Sequence, residues 1–343
     1  LRMNPGGRKS AIATTGTTLT LASGCTVRGG GGIFSVTSLV NEGTIAGTLG
    51  NWSIGTSSGN YTNRGAILVD NATQLTLRGS WSGVAGHSVQ VSSGILDVGE
   101  FDLAGITATV DGELVGVRDL SNGTVSGAGI LRLANTVDLD AVQFDVEVRC
   151  TQATLRVVGD LVANGNFRLL RGSTGISRLQ FQGAAPTLSG IGRVLMESAL
   201  ITWPSGALTV GGGLPVEGAG SFQGDVVLAG ELIPGFTGLA DQLNVNGALT
   251  MQSTARIRVD LGGTTSRTQH DLIAVTGSVV FAGTLDVALI GSYVPTLGNT
   301  FDVLTYGSRS GTFSTTNGLT LPNNLTLSPS YNTAQLRLTT VSP

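Results

Sequence analysis

The chain has 343 residues, of which 41% are hydrophobic, 12% charged and 5% aromatic, with 52 glycines and a formal net charge of −3. This length and apolar content exclude general disorder, and the shortage of rings means that small aliphatic and β-branched side chains must fill the core. Near-neutral charge excludes the clustered basic surface of a nucleic-acid groove, and because Lys9 is the one lysine, internal Lys–Asn isopeptide staples are nearly excluded as well.

Residues 1–9 combine positive charge with Pro5, Gly6 and Gly7 and are expected to form a flexible arm. The strand-like stretch from Ala11 to Leu21 follows, and Ala11, Ile12, Leu19 and Leu21 are the residues expected to add to the sheet edge of a neighbouring molecule. Asn41-Glu42-Gly43 and Asn63-Arg64-Gly65 then repeat one spelling, with a 22-residue step from Gly43 to Gly65. That step is the length of one solenoid coil.

From residue 10 to residue 225 the pattern is a succession of short alternating runs such as Leu75-Thr76-Leu77, Ile106 to Val110 and Thr154 to Val158. Breaks at Gly29 to Gly32, Asp111-Gly112, Asn122-Gly123 and Gly211 to Gly213 are expected to corner the chain through positive φ. Helical periodicity is almost nowhere sustained. The expectation is an all-β chain with a parallel β-solenoid over 10–225, although the spacing fits an antiparallel sandwich in places. No window reaches the roughly 18 apolar residues of a membrane-spanning helix, and no charged n-region precedes an apolar stretch as in a signal peptide.

Alternation places Cys150 on the apolar face with Val146 and Val148, and Cys25 has Val27 as a similar neighbour, so both read as buried thiols. Several coils separate them, too far for a bridge between Cα atoms that must approach within about 7 Å.

The spelling Gly55-Thr56-Ser57-Ser58-Gly59 matches a hydrolase elbow, but no helical signal follows, and a polar turn is the expectation. His87 and His270 are isolated histidines that build no metal cage, and Asp271 reads as a turn residue opening an apolar strand. Asp138, Asp140, Asp145 and Glu147 form the densest carboxylates, with each pair on one strand face. They are the candidate calcium ligands and the best place for an acidic polysaccharide-cleaving cleft, against the alternative of a solvated face softened by Arg149. Trp52 and Trp81 share a context, and with Tyr61 they are the candidate glycan-stacking residues, against the alternative of packing at coil corners. Asparagine sequons begin at Asn51, Asn60, Asn71, Asn122 and Asn324.

Residues 226–343 gain longer, cleaner strands and are expected to form a distinct C-terminal β-module that caps or joins subunits. In Ala255 to Leu261, Ile257, Val259 and Leu261 fall on one face and Arg256, Arg258 and Asp260 on a wet one. Gly230-Glu231-Leu232 with Pro234-Gly235, Leu243-x-Val245-x-Gly247, Asp271-Leu272 with Val275 and Gly277, and Gly283-Thr284-Leu285-x-Val287 recur here, followed by Pro295 with Gly298, Phe301-x-Val303-Leu304 and Gly311-x-Phe313. This segment, roughly a third of the chain, resembles the C-terminal module of bacterial autotransporter-like β-strand-repeat surface proteins. The Asn-x-Gly coils of the first half resemble filamentous-haemagglutinin-like passengers. The resemblance implies a secreted or surface-displayed structural protein, built as a right-handed parallel β-helix, with no catalytic residues to carry over. The translocator barrel of an autotransporter is not in this sequence.

The leading expectation is therefore a non-enzymatic, extracellular subunit of a self-assembling filament, sheath or adhesive layer, needing no cofactor and partnered chiefly by copies of itself. A monomeric adhesin that binds glycans and a β-helical polysaccharide lyase or hydrolase are the alternatives.

Overall fold

The computed structural model describes residues 2–3, 11–14, 17–29, 33–48, 50–71, 73–322 and 324–343, and among these every regular element is a strand. Most of the expected arm over 1–9, and part of the Gly29 to Gly32 break, lie outside the described residues. The chain divides into two compact units, Leu1–Val158 with Asn164–Asn166, and Gly159–Ala163 with Phe167–Pro343.

In the first unit the strands pair in parallel with strands about 20 residues before and after them. Thr26–Gly29 pairs with Thr44–Gly47, that strand with Ala66–Val69, and that one with Ser88–Val91. Because side chains alternate across a strand, the register stacks Val27, Ile45, Ile67 and Val89 in one buried column. The flanking column of Thr26, Thr44, Ala66 and Ser88 is half-buried or exposed. A second inner column runs Leu39, Tyr61, Trp81, Phe101, Leu120, and a third runs Trp52, Leu75, Leu96, Leu114, Leu131. All of these side chains are buried, and each large one contributes about 1.5–3 kcal/mol through removal from water. Parallel pairing of this kind overturns the antiparallel-sandwich alternative, whose strands would be joined by hairpins.

The Asn-x-Gly repeat has two separate causes. Asn41 and Asn63 are register partners, both wholly buried, and Asn41 Nδ2 donates to Asn63 Oδ1 at 2.8 Å. At the glycines the backbones run almost in contact: a Cβ on Gly43 would lie 2.2 Å from the Cys25 carbonyl oxygen, and one on Gly65 would lie 2.0 Å from that of Gly43. Close approach, rather than backbone hand, selects glycine there. The Asn122-Gly123 corner departs from expectation in the same sense, since the left-handed residue is Asn122, with φ 55°. Cys25 also departs: it closes the turn from Ala22, one residue before its strand, and is exposed, whereas Cys150 is buried inside a strand.

The second unit is built the same way over most of its length. Arg193–Val210 pairs in parallel with Pro215–Leu228, followed by Glu231–Pro234, Arg256–Leu261, Thr284–Leu289 and Thr315–Asn317. Val194, Val216, Leu232, Ile257 and Leu285 form its buried column. Parallel pairing thus continues across residues 225 and 226. Thr300–Thr305 pairs in parallel with Leu272–Val275 on one side and antiparallel with Gln335–Val341 on the other. Gln335–Val341 forms a hairpin with Thr326–Tyr331 that buries Leu327, Leu336 and Leu338. Strand-to-strand corners are long here, at residues 235–241, 262–271 and 290–299.

Candidate functional site

Two polar arrays stand out, one in each unit. In the first unit, parallel register sets Glu100 beside Asp119. Burial, with Asp138, Glu100, Asp140 and Asp102 as further causes, raises the Asp119 carboxyl above its ordinary range. Asp138 and Asp140 therefore belong with Glu100, Asp102 and Asp119, residues distant in the chain that stacking brings together. Asp138 is ion-paired with Arg156, and Ser80 donates to Glu100. Asp145 accepts from Gln143 Nε2 at 2.9 Å and from Asn164 Nδ2 at 2.7 Å, and Glu147 takes Arg149 Nε at 2.6 Å. Glu100, Asp138, Asp145 and Glu147 are thus engaged by protein donors. Among the described residues no three His, Cys, Asp or Glu side chains are grouped to hold a metal ion.

The aromatic candidates are a correction. Trp52, Tyr61 and Trp81 are 2%, 2% and 1% exposed, so no ring face is presented to a sugar. Tyr61 and Trp81 stack on each other at 4.9 Å, the Tyr61 hydroxyl donates to Val36 O at 2.7 Å, and Trp81 Nε1 donates to Arg78 O at 3.1 Å. The apolar columns they join hold the rings on the inner face. Gly55 to Gly59 is a turn between two strands, as its polar reading expected, and the Tyr61 hydroxyl also receives the Thr56 N–H at 2.6 Å. Of the assembly candidates, Ala11–Thr14 and Leu19–Leu21 form strands paired in parallel with Ile33–Val36 and Ser38–Asn41, and Leu19 and Leu21 are half-buried. All five sequon asparagines are exposed.

The second array was missed by sequence reading, because Asp260 sits on an expected wet face, Asp271 in an expected turn and His270 read as isolated, while Glu217 drew no expectation. Glu217, Asp260, His270 and Asp271 are 4%, 1%, 2% and 0% exposed. Their carboxylates hold the corner loop 235–241. Glu217 Oε1 accepts from the Thr237 N–H at 3.0 Å, Asp260 Oδ2 from the Gly238 N–H at 2.7 Å, and Asp271 Oδ1 from the Asp241 N–H at 3.0 Å. Asp271 Oδ2 also accepts from the Asp260 N–H at 2.8 Å, and the Asp271 N–H returns to Asp260 O at 3.0 Å. Burial pushes the Asp271 carboxyl up to about 8, with Asp260 and Asp241 adding to the rise and the two backbone N–H groups opposing it. His270 is lowered by burial; its Nδ1 lies 3.0 Å from Gly263 O and its ring meets Phe301 edge-on at 5.5 Å. One sequence signal does mark the site. Asp241 and Asp271 occupy the same position ahead of the register-matched strands Gln242–Val245 and Leu272–Val275.

No family model and no curated protein matches the chain. The chemistry of the two arrays is ion pairing and the capture of backbone N–H groups. The second array holds neighbouring backbone rows in place.

Proposed function

We propose that the protein is an extracellular structural subunit, a right-handed parallel β-helix of the kind carried by autotransporter-like surface proteins, which self-assembles into a filament, sheath or adhesive layer. The observation that carries this reading is the repeated parallel register in each unit, with apolar columns inside and Ser, Thr, Asn and ion-paired side chains outside. Such a stack presents unpaired backbone groups at its terminal strands. Ala11–Thr14 and Leu19–Leu21 each have one strand neighbour among the described residues, and so do Ser308–Gly311 and Thr315–Asn317. These pairs match in length, at 4 and 3 residues, which suits head-to-tail addition of one copy to the next.

The test is electron microscopy with a light-scattering mass at near-neutral pH. Ordered fibres or layers are expected, and deletion of residues 1–21 should abolish them while circular dichroism stays β-rich. A homogeneous particle of 34.8 kDa would sink the assembly reading.

A further inference from the structure

We propose that the loop 235–241 is a pH-governed latch, seated while the buried Asp260–Asp271 pair holds a proton and released when the pair has lost it. The geometry sets up the dependence. Both carboxyls are sealed from water, and the loop closes over them by donating the Gly238 N–H to one and the Asp241 N–H to the other. Two buried carboxylates in one corner ionise together only at a large cost in desolvation and mutual repulsion.

The surrounding charges do not offset it. Arg258 Nε lies 3.5 Å from Asp260 Oδ1, an oxygen with no hydrogen-bond partner, and pairs with that acid. Asp241, on the loop itself, adds a further negative charge. Glu217, which holds Thr237, is already ion-paired with Arg193. His270 is buried with its cationic form disfavoured, and the Asp302 carboxylate near it is taken up by Arg337 at 2.6 and 2.8 Å. The Arg258 guanidinium thus pairs with Asp260, and a proton on Asp271 completes the balance. Once the proton leaves, the second negative charge is relieved by water, which reaches it when the loop lifts. The exposed Leu239 sits on that loop.

The sign follows from the raised acid. With the loop seated Asp271 titrates at about 8, and in a water-filled corner it returns toward the ordinary value of about 3.9. Closure is therefore fully stable below the ordinary value and is lost as pH rises toward the closed-state value.

The measurement is amide hydrogen exchange on the intact chain, expressed as protection factors. Protection of the Thr237, Gly238 and Asp241 amides should fall about tenfold per pH unit between about pH 4 and pH 8 and then level off. The Gly277 amide, bonded to Gly247 O at 2.9 Å in the same unit, should hold its protection. Asp260→Asn removes a neighbouring negative charge that raises Asp271 and should move the break point to lower pH. Loop protection independent of pH in the unmodified protein would overturn the latch, as would a carboxyl-carbon titration placing Asp271 near its ordinary value. Both readings use the unmodified chain and stand whether or not the variant folds.

Discussion

The two units reach parallel pairing by different means. In the first, paired residues are 22 apart at Ala66↔Ser88 and 17 apart at Glu113↔Ile130, so corners are tight and backbones pass at glycines. In the second, the separation is 25 at Glu231↔Arg256 and reaches 31 at Leu285↔Thr316, and the corner 235–241 of the former step is held by buried carboxylates. The lesson is that the inward columns fix the register while the corners absorb changes in length. A short corner needs a missing side chain, whereas a long one needs acceptors for its backbone N–H groups.

The largest expected way to break the contrast is Trp81→Ala. It empties a stacked column position and should cost the first unit about 3–5 kcal/mol in denaturant unfolding, while Gly277 exchange in the second unit stays unchanged. Gly65→Ala should cost about 1–3 kcal/mol, because its Cβ would meet a backbone oxygen that cannot turn aside. The same substitution at Gly238, which has open space around it, tests backbone hand instead, since φ there is 87°. Asn63→Ala should cost about 1–3 kcal/mol by removing one of the two acceptors of the buried Asn41 amide, the other being Ala66 O; a thermal scan resolves that loss. Smallest is Arg132→Ala. Its pair with Glu113 at 2.8 Å is surface-exposed, and removal should cost under about 1 kcal/mol and less in high salt.

The all-β class was legible from alternation without helical period, and the 22-residue Asn-x-Gly step was legible as a repeat. The columns bear both out, since Tyr61 stacks on Leu39 and Asn63 on Asn41. Alternation was not carried through to Trp52, Tyr61 and Trp81, which read as candidate sugar contacts and are buried in the inner columns. It failed for Cys25, which precedes its strand and so escapes the period, and for Asp260, which a corner loop covers although its strand face reads as wet.

What the sequence by itself determined, then, is period and composition: which residues alternate, how long a step is, and that small side chains must fill the interior. Local spacing suffices for these, because a strand's two faces differ only in hydropathy. Tertiary structure alone decided which carboxylates meet. Glu100 and Asp119, or Asp260 and Asp271, become neighbours through stacking of rows and folding of corners. Asp119 and Asp271 acquire raised proton affinities only when water is removed around them, and that removal is a property of the packed chain rather than of any residue's spelling.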